Sequence, residues 1–178
     1  MKLSFGASYI KSVDVLKKQG AVCTPEKASF VELDINDAKD AKALDGIILD
    51  WGDESYMQFA RDIVEAEPTP GYLKHHIYAV TTQKDSFDEL NKDKILGVVV
   101  FDEGKKANEI EALQVQPDNL GTSRNNGYKK VGTSIVGTLQ GMYSTKPMKV
   151  TSAHDAVGFY QKCGFKPTNE HLRYVWNA

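Results

Sequence analysis

The amino-acid sequence predicts one α/β domain folded around a mixed β-sheet. Three observations carry that expectation. Helical and strand-like hydrophobic patterns follow one another in the order β–α–α–β–β–β–α–β–α–β. The run Ile95-Leu96-Gly97-Val98-Val99-Val100-Phe101 is short, rich in β-branched residues and apolar throughout, as a strand buried on both faces requires. The length, 178 residues, suits a single domain that buries roughly 70% of the surface its unfolded chain exposes.

Taken in order, residues 2–16 alternate weakly around Gly6 and Ser12 and read as a hairpin or irregular strands, with a turn at Lys17-Lys18-Gln19-Gly20. Ser29 to Leu33 is strand-like. Asp34 or Asn36 is placed to cap a helix with Ala41, Leu44, Ile47, Ile48 and Trp51 at helical spacing, and Gly52 ends it. A second helix is expected from Glu54, using Met57, Phe59, Ala60, Ile63 and Val64, and stops before Pro68. Strands follow at 76–82 and 95–101, then a turn at 102–106. A strand at 108–115 is closed by Pro117, which has no amide to donate to a ladder. After the polar stretch 118–126, a helix over 128–143 turns Val131, Ile135, Val136, Leu139 and Met142 inward. A strand at 148–151, a short helix at 154–163 ended by Gly164, and strands at 165–167 and 172–176 complete the chain.

Composition excludes several classes. Hydrophobic residues make up 41% and charged residues 26%, unlike a disordered or coiled-coil chain. No window approaches the ~18 consecutive apolar residues of a membrane span. Met1 to Ser8 lacks the apolar core of a secretory signal, so a cytoplasmic protein with no membrane partner is expected. Cys23 and Cys163 make neither a disulfide framework nor the spacing of a zinc site, and no metal is expected. The net charge of −2 is unevenly spread: residues 26–70 carry 12 acids and 4 bases, residues 119–178 carry 2 acids and 8 bases. That split suits a basic half receiving a polyanion and an acidic half facing a cationic partner. Acidic first turns and solvated helix faces are a sufficient alternative account of the acidic half. There is no dense Lys/Arg stripe, so no nucleic-acid partner is expected.

The chemistry concentrates toward the end of the chain. The strand Ile110-Glu111-Ala112-Leu113-Gln114-Val115-Gln116-Pro117 is followed by Gly127-Tyr128-Lys129-Lys130-Val131-Gly132-Thr133-Ser134, a glycine loop that becomes a helix start. The first amides of a helix lack partners, its dipole is positive there, and glycine lets an anion approach the backbone. Lys129, Lys130 and Arg124 add charge. The continuation is not a Walker A loop, and no Gly-x-Gly-x-x-Gly follows the strand. Alone, this segment reads equally as a phosphate site or as a flexible connection that starts a helix.

Ala156-Val157-Gly158-Phe159-Tyr160-Gln161-Lys162-Cys163-Gly164-Phe165, placed after a strand and beyond the glycine loop, resembles the GNAT acetyltransferase superfamily. Leu113-x-Val115-x-Pro117 and Lys130-Val131-Gly132-Thr133-Ser134-Ile135-Val136 fall where that family places its acetyl-CoA site, and the match runs over residues 75–166. Three positions differ from the usual pattern: Gly127 stands where Arg or Gln is common, Lys130 where glycine is, and Ala153 where Asn is frequent.

The resemblance implies a mostly antiparallel mixed sheet, splayed at one pair of parallel strands, with helices on both faces. It implies an N-acetyltransferase, monomeric or homodimeric, moving an acetyl group from acetyl-CoA to a primary amine of a small molecule or protein in a ternary complex. Leu113, Gln114 and Val115 would pair with the pantetheine arm. Gly127, Lys129, Lys130, Val131, Gly132, Thr133 and Ser134 would surround the pyrophosphate. Tyr160 matches the tyrosine that protonates the leaving thiolate. Strand alternation puts Glu111 on the face of Leu113 and Val115, where it would act as base, with Glu109 as substitute. Trp51 and Tyr56 would wall the acceptor pocket, and His75 and His76 are expected at the surface or the substrate entrance. Two other readings stand beside this one: a non-catalytic acyl-CoA-binding or protein-interaction module, and a phosphate-binding α/β protein using residues 127–134.

Overall fold

The computed structural model describes residues 6–34, 36–51, 72–117 and 126–177. The helix expected over 54–67 falls outside them. Among the described residues, one nine-stranded sheet carries three α-helices. None of those helices is long and apolar enough to cross a membrane.

β1 (Ser8–Gln19) and β2 (Val22–Leu33) form a long antiparallel hairpin that turns at Gly20 with a φ of +60°. Lys17–Gln19, which read as a turn in the sequence, are strand because both of their edges are occupied. They pair with Val22–Thr24 on one side and with Asn126–Tyr128 on the other. α1 (Ala38–Trp51) follows. Its cap is Asp37 rather than Asp34 or Asn36: the Asp37 carboxylate accepts the Lys39 N–H at 2.8 Å. Asp34 instead accepts the Asn36 N–H at 3.0 Å and builds the turn before the helix.

β3 (Tyr72–Thr81), β4 (Ile95–Gly104) and β5 (Asn108–Val115) make an antiparallel meander. β4 is paired on both sides and buried without interruption from Ile95 to Asp102, as its apolar run requires. It extends to Gly104, so the turn expected at 102–106 tightens to 105–107. β6 (Asn126–Lys129) leads into α2 (Val131–Met142), then β7 (Met148–Thr151), α3 (Val157–Lys162), β8 (Lys166–Pro167) and β9 (Arg173–Trp176). Across the sheet the order is β6-β1-β2-β3-β4-β5-β7-β9-β8. Among the described residues only β5 and β7 are parallel neighbours.

Each face of the sheet has its own core. On one, Val131, Ile135, Val136 and Leu139 of α2 pack with Phe30, Tyr78, Val99 and Phe101, and α3 adds Tyr160. Burying each such aliphatic side chain contributes roughly 1.5–3 kcal/mol. On the other, Ala43, Leu44, Ile47 and Trp51 of α1 cover Val31, Ile77, Val98 and Val100. Gly97 sets how closely α2 sits: a Cβ there would meet Val131 Cγ1 at 2.9 Å.

The helix start is unusual. α2 begins at Val131 rather than at residue 128, because residues 126–129 are drawn out as a strand along β1. The chain turns from strand to helix at Lys130, whose φ of +64° lies in the left-handed region. Glycine adopts that conformation without Cβ strain, at some cost in unfolded-state entropy. Lys130→Gly should therefore raise the unfolding free energy by about 0.5–1 kcal/mol in a urea titration.

Asp40 of α1 is fully buried, and its Oδ2 accepts the Asp34 N–H at 2.9 Å. Burial, reinforced by Asp37 and Asp34, pushes its pKa up to about 6. In the unfolded chain an aspartate loses its proton near pH ~3.9. The unfolded state thus releases a proton first, stability falls as pH rises between those values, and the deficit persists above them. Asp40→Asn should be more stable than the parent by about 3 kcal/mol at pH ~8 and nearly equal to it at pH ~4.

Candidate active site

β5 and β7 run side by side only where Asn108, Glu109 and Ile110 face Met148, Lys149 and Val150. Beyond Ile110, β5 stays with β4 as far as Val115, and β7 stays with β9 as far as Thr151. The strands part, and a cleft of about 470 Å³ opens between them. Leu113 and Val115 line it from β5, Lys129 to Thr133 from the end of β6 and the start of α2, and Asp155, Ala156, Phe159 and Tyr160 from α3 and the turn before it.

The cleft ends on three helix-start amides. The Ser134 N–H makes the first intrahelical bond, to the Lys130 carbonyl at 2.9 Å, so Val131, Gly132 and Thr133 precede the ladder. Ser134 itself drops out of the expected anion site, since its amide is used within the helix and its hydroxyl donates to the Asp14 carbonyl of β1. Gly132 permits the close fit of α3: a Cβ there would meet the Phe159 ring at 3.2 Å. Gly127 lies in β6 opposite Lys18 and does not line the cleft. Nor does Gln114, which follows Leu113 in the strand alternation and shares the side of Ala112. Seven of the ten residues expected around the cofactor therefore line one cleft. Arg124 is outside the described residues.

Tyr160 projects from α3 into the same cleft, 6% exposed. Edge-to-face contacts with Phe159 and Phe165, at centroid separations of 5.0 and 5.6 Å, hold its ring.

The carboxylates depart from simple alternation. Ile110 and Leu113 belong to the α2 face and Ala112 to the α1 face, so the pleat slips by one residue. The β4–β5 register breaks at the same place, between the pairs Val100–Ala112 and Phe101–Ile110. Glu111 is the extra residue of a β-bulge. It does not share the face of Leu113 and Val115; its carboxyl hydrogen-bonds with that of Asp102. Bulges re-aim side chains beside sites, and this one puts Glu111 at the first position past the last β5–β7 pair.

Asp102 lies opposite His75 of β3 and Glu109 of β5, so the three share a row across the sheet. His75 Nδ1 is 2.5 Å from Asp102 Oδ1. Arg173 Nη2 donates to both oxygens of Glu109, at 2.9 and 3.1 Å. Glu109, the expected substitute base, is thus engaged as an ion-pair partner. Burial, the Glu109 charge and Asp102 push the pKa of Glu111 up to about 7. Burial also raises Asp102, against the opposing pull of His75. Among the described residues no group of three or more His, Cys, Asp or Glu is arranged to hold a metal ion.

Other expectations are corrected by the packing. His75 and His76 are not at the surface: their side chains are each 7% exposed. His76 stacks on Tyr78 at 5.3 Å with its Nδ1 2.6 Å from Glu32. Trp51 is 8% exposed in the α1 core, beside Gln116 and Pro117, and does not line the cleft. Tyr56 is outside the described residues. The sequence reading missed His75, Asp102 and Arg173 as neighbours of the carboxylates. The one available signal was their charge within otherwise strand-like segments.

No family model and no curated protein matches the chain. Among solved structures it is similar to the proposed N-acetyltransferase YhhK from E. coli bound to coenzyme A. The identity is 14% and the TM-score 0.55, over 86% of this chain and 100% of that one. The Bacillus subtilis N-acetyltransferase YlbP in complex with coenzyme A matches at 15% identity and a TM-score of 0.43, over 77% of this chain and 90% of that one. With the parted parallel strands and a superposition that covers 86% of this chain and all of YhhK, the chain shares the α/β fold of that structure.

Proposed function

We propose that this chain is an acetyl-CoA-dependent N-acetyltransferase acting on a primary amine of a small molecule or protein. The observation that carries the reading is the cleft between β5 and β7, which joins an anion-receptive helix start to a buried tyrosine. Its residues fit a coenzyme A moiety. The amides of Val131, Gly132 and Thr133 would hold the diphosphate, with Lys129 and Lys130 adding positive charge. Leu113, Val115 and Phe159 offer apolar walls to the pantetheine arm, and the β5 backbone past Ile110 has no β7 partner to displace.

Acetyl-CoA supplies a thioester, and the chain's part is to fix it beside a neutral amine, which lowers the barrier by proximity. Glu111 takes the amine's proton as attack proceeds. A carboxyl titrating near neutrality suits that task better than an ordinary one, because it is a stronger base that is still ionised in part. Tyr160 Oη gives its proton to the departing thiolate, a partner of broadly comparable basicity. Burial of the tyrosine keeps bulk water from competing.

A non-catalytic acyl-CoA-binding module is the second reading. Two features favour it: Asp155 places a carboxylate on the cleft wall, and Lys130 brings a side chain where glycine would leave open backbone.

Acetyl-CoA at about a hundred times its Kd should add about 2.7 kcal/mol to native stability, a rise of several degrees in Tm read by calorimetry. No shift at millimolar acetyl-CoA would remove both readings. Tyr160→Phe and Glu111→Gln should each lower kcat about 100-fold on an accepted amine, with acetyl-CoA affinity nearly unchanged. Cofactor binding with no transfer across a broad amine panel would select the second reading.

A further inference from the structure

The proposed base does not stand alone. Glu111 reaches Asp102 across the β4–β5 ladder because the bulge turns it onto the α1 face. Asp102 has its side chain 4% exposed and is held from behind by the His75 ring nitrogen at 2.5 Å. Glu109 lies beside both carboxyls, and its charge is balanced by Arg173, which also contacts Glu170 at 3.6 Å. Lys149 of β7 is the register partner of Glu109. These are the charged and titratable groups that β3, β4, β5, β7 and β9 bring to this row among the described residues. Two buried acids, a half-buried one and one paired arginine leave a surplus of negative charge in a largely desolvated place, and neighbouring carboxyls there resist ionising together.

We propose that Asp102 is the positioning residue of Glu111: the two carboxyls share one proton across the β4–β5 ladder, with His75 anchoring Asp102. This rests on the N-acetyltransferase reading above for its catalytic meaning, but the shared proton is a property of the resting protein. His75 donates to Asp102 and so favours charge on that member, which leaves the proton on the Glu111 side until it is released. The attacking form is the one in which that proton has already left to solvent and both carboxyls are ionised. Capture of the amine's proton by Glu111 restores the singly protonated pair, and that proton leaves to solvent in turn as the amide product departs. The two steps belong to the pair rather than to either residue. Asp102 thereby raises the basicity of Glu111 without touching substrate.

The test is a 13C-detected titration of the side-chain carboxyls in the full chain, with Glu111 assigned by its loss in Glu111→Gln. The expected result is a Glu111 curve with two inflections, one shared with Asp102, and a main midpoint well above the ordinary glutamate range. Asp102→Asn should reduce it to a single step displaced downward by about one pH unit or more. A single wild-type step in the ordinary range, or a midpoint unmoved in Asp102→Asn, overturns the proposal. If Asp102→Asn does not fold, the wild-type curve decides by itself, and His75→Phe gives the second comparison: loss of its donated bond should also lower the Glu111 midpoint. In the active protein, the ascending limb of the kcat/KM pH profile should move down by the same amount in Asp102→Asn, with acetyl-CoA affinity retained. A purely structural role for Asp102 would leave that limb in place. Absence of acetyl transfer with the paired titration intact counts against the proposed activity and supports the shared proton, so the two failures are distinguishable.

Discussion

The parting of two parallel strands after three residue pairs is the constraint on which everything else rests. β5 is committed to β4 through Val115 and β7 to β9 through Thr151, so neither can close the gap without abandoning its other neighbour. The vacated space is then bounded by rings and helix starts rather than by backbone. Phe159 and Tyr160 enter from one side, and the first turn of α2 enters from the other, drawn close by Gly97 and fitted against Phe159 by Gly132. Were the two strands to zip onward, the helix start would face a closed ladder, and the tyrosine would be one more core aromatic.

The sheet also separates two polar environments that would neutralise each other if mixed. The α2 side presents the amides that precede the helix ladder and two lysines, at the attractive end of a helix dipole. The α1 side presents Asp102, Glu109 and Glu111. The bulge at Glu111 is what keeps them apart: with an unbroken pleat, that carboxylate would stand on the same side as Leu113 and Val115, beside the amides.

Much of this was legible in the residues. The β4 run, the α2 stripe from Val131 to Leu139, the strand 108–115 and the α3 segment declare themselves because each is set by local periodicity and punctuation. The cleft lining followed from the same segments. What stayed hidden depends on partners distant in sequence. Lys17–Gln19 are strand because β6 reaches them from across the chain. Alternation within β5 could not reveal a bulge, because a bulge is defined against the neighbouring strand rather than within one. His75 and His76 look like surface residues until Asp102 is placed opposite the first and the Glu32 carboxylate reaches the ring of the second. Asp37 outcompeted two equally plausible caps nearby, a choice that local composition does not determine.

The N-terminal hairpin, the part of the chain with no counterpart in the sequence motifs, turns out to be the abutment for the cleft. Leu16–Gln19 of β1 hold Asn126–Lys129, and Asp14 takes the Ser134 hydroxyl, so the mouth of the binding cleft is pinned by residues from the opposite end of the polypeptide. Contacts of such wide sequence separation close the largest loops and form slowly compared with local turns. The hairpin is therefore synthesised before the segments it pins, and the cleft takes its shape only once residues 126–160 have followed it.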